Sequence, residues 1–134
     1  MRAVLDANVL IAALLSRPPG RILARWLSGE FDIVVSEKLL AELERSLAYP
    51  KLRRRIAPED AAEFVDFLRS VAVYAPDPVA PPGRSRDPAD DYLLALAEAE
   101  QAMVVSGDQH LLELADRFPI WNPLDFLETL ETSS

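Results

Sequence analysis

The chain has 134 residues, half of them apolar, which is enough to build the core of one globular domain and leaves no room for a second. It contains no cysteine, which excludes disulfides, thiolate metal sites and cysteine nucleophiles and suits a cytoplasmic location. The net charge of −8 is unusual for a protein that binds nucleic acid through a broad positive surface.

The N-terminal segment predicts a strand followed by a helix. Residues 2–5 form a short apolar run that ends before Asp6, and Asn8 is suited to cap a helix that continues through Leu15. The apolar run at 9–15 is far shorter than the roughly 20 residues that a membrane span needs. We therefore expect a soluble protein with neither a membrane segment nor a targeting segment.

A second helix is predicted after the Pro-Pro-Gly break at 18–20, and it ends near Gly29. Its apolar residues at helical spacing are Ile22, Leu23, Trp26 and Leu27. Residues 31–35 predict a buried strand, and Ser36 is suited to cap the helix that follows. The apolar stripe of that third helix consists of Leu39, Leu40, Leu43 and Leu47.

The second half of the chain continues the alternation of strands and helices. Pro50 closes the leucine-rich helix, and Pro58 opens another one. The proline-rich segment 75–86 predicts a functional loop. The other predicted elements are a strand at 71–74, a helix from 87 to about 101, a strand at 102–106, a short helix at 108–116 and a last helix at 123–130. This alternation predicts an α/β fold in which helices cover both faces of a parallel sheet.

Two aspartates stand where such a fold binds ligands, beyond the carboxyl ends of the strands. Asp6 follows the first predicted strand and Asp108 follows the fourth. One aspartate after a strand is usually a turn residue, but two at neighbouring strand ends repel each other unless a cation or a proton lies between them. Asp90 is in line with an apolar stripe, so its carboxylate points towards the sheet and needs a cation, a proton or strong donors to compensate for burial.

Other polar residues are weaker candidates. Asp87 stands directly before a proline, where a helix N-cap explains it fully. Asp91 lies about 100° further round the same helix than the preceding aspartate, facing either solvent or the edge of a metal site. Glu42 and Glu44 both flank the leucine stripe, and spacing leaves the choice between them open. His110 is typical of a surface histidine, although its intrinsic pKa permits acid–base work.

Four short acidic motifs, in order along the chain, resemble those of PIN domains. They read VLDANVL at 4–10, SEKLLAEL at 36–43, DPADD at 87–91 and VVSGD at 104–108. The sequence is most similar to the VapC-like toxins of bacterial toxin–antitoxin pairs, from Arg2 to the PLDFL segment at 123–127. Each motif is short, but the ordered set over nearly the whole chain is specific.

The resemblance implies a three-layer α/β/α fold over residues 1–134 and a metal-dependent endoribonuclease activity. It assigns an acidic set that is both catalytic and metal-binding: Asp6, Glu42, Asp90 and Asp108. Asp91 is an additional ligand candidate. Asn8 and Ser106 match small polar positions that would orient a carboxylate or a bound water. All-oxygen ligands favour Mg²⁺ or Mn²⁺ as the cofactor.

The basic residues predict where an RNA backbone would be held. They lie in two groups: Arg53, Arg54 and Arg55, and Arg84 and Arg86. Contacts from these side chains to phosphates would fix the register of the RNA without reading its sequence. The alternative for the triple arginine is an ordinary solvated helix face.

The resemblance also implies an antitoxin partner and a homodimer or higher oligomer. We expect Trp26 and Leu27 to pack in the core, with an interface as the alternative.

Two other functions remain open at this level. A haloacid-dehalogenase-like phosphatase also has an aspartate after its first strand, but it needs a second aspartate where Asn8 stands, and it would form an aspartyl-phosphate intermediate. A non-catalytic RNA-binding or protein-binding module would keep the fold without turnover. The complete acidic set favours the nuclease.

Overall fold

The computed structural model describes residues 1–16, 20–79 and 87–132. Within these ranges the chain forms one five-stranded sheet with the strand order β3-β2-β1-β4-β5 and every neighbouring pair parallel. The strands are β1 (Arg2–Leu5), β2 (Asp32–Val35), β3 (Val73–Tyr74), β4 (Met103–Val105) and β5 (Ile120–Trp121). Strand β1 therefore lies at the centre of the sheet.

Helices flank this sheet, which confirms the predicted three-layer α/β/α architecture. In the described residues they are α1 (Ala7–Leu15), α2 (Arg21–Leu27), α3 (Glu37–Leu47), α4 (Pro50–Arg53), α5 (Pro58–Val71), α6 (Pro88–Ala99), α7 (Gln109–Leu112) and α8 (Pro123–Thr132). Helix α6 packs against β1 and β4, whereas α3 packs against α1 and α5. None of the helices in the described ranges combines the length and the apolar character that crossing a bilayer requires.

The central strands are buried on both faces, which explains their uninterrupted apolar sequences. Residues 3–5 of β1 and 33–35 of β2 expose none of their surface. Helix α6 is also covered all round, since every residue from Asp90 to Ala97 is buried. Asp91 is therefore 5 % exposed. Of the two placements expected for it, solvent or the edge of a metal site, the first is wrong, because α6 is an inner helix rather than a surface one.

Helix α1 is capped differently from the prediction. Its N-cap is Asp6, whose side chain accepts a hydrogen bond from the backbone N–H of Val9, while Asn8 is an exposed residue of the first turn. The predicted second helix begins at Arg21, and Leu27 at its end is 59 % exposed whereas Trp26 is buried. The core prediction for this pair is thus right for the tryptophan and wrong for the leucine.

Three short elements differ from the predicted ones. Strand β5 and the one-turn helix α4 were absent from the sequence-based prediction, because two to four residues are too few to show a period. Strand β3 is shorter than the predicted 71–74, because Val71 still belongs to α5. In the predicted loop, residues 75–79 are irregular and residues 80–86 lie outside the described ranges.

Helix α8 closes the core through an aromatic contact. None of the surface of Phe126 is exposed, and its ring meets that of Phe31 edge to face, with 5.0 Å between the centroids. We expect Phe126→Ala to lower the free energy of unfolding by about 3–5 kcal/mol, because it leaves a cavity in the core. Leu124→Ala on the same helix, at a side chain that is 71 % exposed, should cost less than about 0.5 kcal/mol. Urea unfolding followed by circular dichroism measures both, and equal losses would contradict the docking of α8.

Candidate metal centre

The acidic residues identified in the sequence lie along the carboxyl edge of the sheet. Asp6 follows β1 directly and Asp108 follows β4, and these strands are neighbours with Leu5 paired opposite Val105. Asp90 lies in the first turn of α6, which packs against both strands. Glu42 is on α3, which begins where β2 ends. Topology alone therefore brings together segments that are far apart in sequence.

Ser106 ties the ends of β1 and β4 to each other. Its fully buried hydroxyl donates a hydrogen bond to Oδ2 of Asp6 and accepts one from the backbone N–H of Asp108 at 3.0 Å. The backbone N–H of Asp6 donates to the carbonyl oxygen of Val105 at 3.1 Å. The predicted small polar position beside Asp108 thus contacts both aspartates.

The Asp6 carboxylate is buried, and it accepts hydrogen bonds from a hydroxyl group and from backbone N–H groups. Only 8 % of the residue is exposed, and its Oδ1 accepts a hydrogen bond of 2.8 Å from the N–H of Val9. Burial raises the pKa of Asp6, hydrogen bonds from Ser106 and Val9 lower it, and the charge of Asp108 raises it again. The net effect is a raised pKa, which means that the surroundings of Asp6 in the folded protein disfavour its ionised form.

Asp90 has the least compensated charge of the described residues. It is 6 % exposed, and its Oδ2 is the buried side-chain oxygen that has no hydrogen-bond partner in the described part of the chain. Burial raises the pKa of Asp90 to about 6, and the charges of Asp108, Asp87 and Asp6 contribute to the rise, while His110 lowers the pKa. A buried carboxylate oxygen without a donor calls for a proton or a cation.

The structure distinguishes the two glutamates that spacing left open. Glu42 is half-buried, and its pKa is raised by burial and by the charges of Asp6 and Asp87, against the lowering effect of Arg45. Glu44 is exposed and faces α5, where its carboxylate lies 3.7 Å from the guanidinium group of Arg69. Glu42 therefore belongs to the electrostatic environment of the acidic centre, and Glu44 does not.

The remaining candidates surround this centre in different ways. Asp87 caps α6 as predicted, and its carboxylate accepts a hydrogen bond of 2.9 Å from the N–H of Ala89. Its charge also raises the pKa of Asp90 and of Glu42. The exposed Asn8 contributes its backbone N–H, which lowers the pKa of Asp6. His110 is exposed on α7 next to Asp90. That proximity was not visible in the sequence.

The basic residues are not gathered at the acidic centre. Arg53, Arg54 and Arg55 lie in and after α4, beyond the C-terminal end of α3. Helix α3 has 11 residues, so this cluster is about 16 Å from the carboxyl edge where α3 begins. Arg84 and Arg86 lie outside the described residues.

A polar network beside the centre was missed from the sequence. The hydroxyl of the buried Tyr92 donates to Oδ1 of Asp77 at 2.6 Å and also contacts the hydroxyl of Ser36, the N-cap of α3. Burial and the neighbouring Asp77 raise the pKa of Tyr92. The ammonium group of Lys38 lies over the tyrosine ring, 4.5 Å from its centroid. A tyrosine within a run of buried leucines and alanines is the signal, since a buried phenol needs a partner for its hydroxyl.

The donor chemistry of this edge fits a hard divalent cation. All the candidate ligands are carboxylate oxygens; Oδ2 of Asp90 has no hydrogen-bond partner in the described part of the chain, and the charges of Asp108 and Asp6 act on this carboxyl group. In the described ranges no three acidic or histidine side chains form a group compact enough to hold an ion by themselves. Mg²⁺ does not need such a cage, because it usually keeps several waters and uses one or two protein carboxylates.

Comparisons with known proteins agree with this fold. A family model described as PIN domain matches residues 2–110. The uncharacterised protein MJ1680 of Methanocaldococcus jannaschii is 26 % identical, over 98 % of this chain and 92 % of that protein. The crystal structure of PAE2754 from Pyrobaculum aerophilum has a TM-score of 0.67 at 18 % identity, covering 98 % of this chain and 90 % of that one. VapBC2 from Rickettsia felis, bound to a DNA fragment from its promoter, has a TM-score of 0.58 at 17 % identity, covering 91 % and 98 %.

The raised pKa of Asp90 predicts a stability gain when its charge is removed. Because the folded protein binds this proton more tightly than the unfolded chain, ionisation destabilises the fold as pH rises from the ordinary value of 3.8 through about 6. In the presence of a chelator, we expect Asp90→Asn to raise the free energy of unfolding by roughly 1–3 kcal/mol at pH 8 and to change it little at pH 4.

Urea unfolding at the two pH values measures this effect. Asp116→Asn is the control, because this side chain is 78 % exposed and lies away from the centre. A gain for Asp90→Asn that is the same at pH 4 and pH 8 would contradict an ionised, uncompensated Asp90.

Proposed function

The chain belongs to the PIN-domain family, and we propose that it is a metal-dependent endoribonuclease that hydrolyses RNA phosphodiester bonds with water. PIN domains are generally nucleases, and family membership supports a hydrolase. The observation on which the proposal depends most is the buried Oδ2 of Asp90, which has no donor among the described residues and belongs to a carboxyl group whose pKa is raised by burial and by the charges of Asp108 and Asp6. A divalent cation relieves such a charge, and a structural role gives no reason to keep it.

Each acidic residue has a distinct part in this proposal. Asp90, Asp6 and Asp108 would hold Mg²⁺ or Mn²⁺, one or two of them directly and the others through bound water, with Glu42 at the margin and Asp91 as a further ligand candidate next to Asp90 on α6. When bound, the ion would lower the pKa of a water molecule and stabilise negative charge on the phosphate and the leaving oxygen. Ser106 holds the Asp6 carboxylate in one orientation, which keeps one of its oxygens turned towards the ion.

The chemistry requires no side-chain nucleophile. Asp6 and Asp108 each use one carboxylate oxygen to cap a helix, α1 and α7 respectively, so neither is placed as a free attacking group. Attack by water in line with the leaving oxygen would give the 5′-phosphate and 3′-hydroxyl ends that the family resemblance implies. The phosphatase alternative loses support, because it needs an aspartate at Asn8 and a different family.

The proposed biological role is that of a toxin restrained by an antitoxin protein. The fold likeness to VapBC2 supports this role at the level of architecture. A nuclease whose substrate surrounds it needs restraint, and a partner that occupies the acidic edge would supply it. A homodimer or higher oligomer belongs to the same proposal. Arg53, Arg54 and Arg55 would contact backbone phosphates about one helix length away from the reacting phosphate.

A cleavage assay with matched variants tests the proposal. Incubation with single-stranded and structured RNAs in Mg²⁺ or Mn²⁺ should give cleavage that a chelator abolishes. We expect Asp6→Asn and Asp90→Asn to lower kcat/KM by about 100-fold or more, because each removes a charge that holds the ion against the reacting phosphate.

The two glutamates of α3 supply the control for this assay. Glu42→Gln should lower the activity, whereas Glu44→Gln, the same change two residues further on at an exposed position, should leave kcat/KM within about twofold of the parent value. Circular dichroism checks that every variant is folded. Cleavage that survives both the chelator and Asp90→Asn would reject the proposed chemistry.

A further inference from the structure

An acidic centre that binds a polyanion needs cations close to it, and a metal ion neutralises only part of the charge. The arginine cluster of α4 is at the far end of α3. Among the described residues, the basic groups whose charges act on the centre are Arg45 and Lys38, which lower the pKa of Glu42, and His110, which lowers that of Asp90. Lys38 lies in the first turn of α3, one turn before Glu42 and at the carboxyl edge of the sheet.

The ammonium group of Lys38 is held in one place. It lies 4.5 Å from the centroid of the Tyr92 ring, and Tyr92 follows Asp90 by two positions on α6. The ring cannot turn away easily, because the tyrosine is 1 % exposed and its hydroxyl is bonded to Asp77 and Ser36. The charge of Lys38 is therefore placed between the helix of Glu42 and the helix of Asp90.

This cation is also available to a ligand. Lys38 is exposed, and its ammonium group has no carboxylate within 4.0 Å among the described residues. Two other basic groups near α3 and α2 are already engaged: Arg69 pairs with Glu37 at 2.9 Å, and Arg25 pairs with Glu30 at 2.6 Å. For a lysine at an exposed position, a cation–π contact contributes only about 0.5–1 kcal/mol, and the ammonium group keeps its N–H donors free to face an anion.

We propose that Lys38 contacts a backbone phosphate of the nucleic acid bound at the acidic centre and so positions the chain beside Glu42. This inference rests on the proposed nuclease function and adds a substrate contact to it. In this proposal the ring of Tyr92 orients the lysine, and the hydrogen bonds of Tyr92 with Asp77 and Ser36 fix the position of that ring. The contact depends on the phosphate charge and does not distinguish nucleotide sequences, because a phosphate is the same at every nucleotide.

Salt-dependent binding tests the contact independently of cleavage. Binding of a single-stranded RNA dodecamer is measured by fluorescence anisotropy in Mg²⁺ between 50 and 200 mM salt, with every protein carrying Asp108→Asn to slow hydrolysis. We expect Lys38→Met to weaken binding and to reduce the slope of log Kd against log salt by about 0.7, the value for one phosphate contact on a single strand. Lys38→Arg, which keeps the charge, should restore the slope.

The control is Arg117→Met, which removes one positive charge from an exposed side chain located before β5, at the opposite edge of the sheet. It should leave the slope unchanged. If Lys38→Met and Arg117→Met give the same slope as the parent, the lysine contact is overturned while the nuclease proposal stands. If the parent protein binds no RNA, both are overturned. Thermal unfolding of each variant shows whether a loss of binding comes from a loss of fold.

Discussion

The hydroxyl group of Ser106 holds together the two chain segments on which the acidic centre is built. It donates to Asp6 and accepts from the N–H of Asp108. Three of the helices that begin at this edge are each capped by an aspartate: α1 by Asp6, α6 by Asp87 and α7 by Asp108. Their backbone N–H groups point at the carboxylates and offset part of the negative charge. Carboxylates that repel one another can therefore be buried side by side without unfolding the sheet.

This arrangement does not compensate the charge of Asp90. Its neighbours share donors from a hydroxyl group or from the starts of helices, whereas its Oδ2 has none in the described part of the chain. A protein selected for stability alone would replace this residue with an apolar or amide side chain. The presence of a destabilising charge at a strand-end crevice is the physical argument for the proposed cation, which the orphaned oxygen would help to bind.

Much of the fold could be predicted from local sequence, and less of the site. The buried strands at residues 3–5 and 33–35 can be predicted because they are continuous apolar runs. A parallel sheet then brings Asp6 and Asp108 to one edge. Strand β5 was not predicted because two residues carry no period. The choice of Glu42 over Glu44 depends on which helix lies opposite, and the contact of Tyr92 with Ser36 joins residues 56 positions apart. Neither follows from spacing along one helix.

The long reach of the bond between Ser106 and Asp6 affects how the protein is made. The two residues are 100 positions apart, so at translation rates of roughly 5–20 residues per second the ribosome needs about 5–20 s to add the second after the first. Until β4 has left the exit tunnel, the central strand lacks one neighbour, and Ser106 and Asp108, which follow β4, are not in place. The acidic edge is therefore incomplete on the nascent chain until residues 103–108 have emerged, and under the proposed function the chain cannot cleave the ribosomal and messenger RNA around it before then.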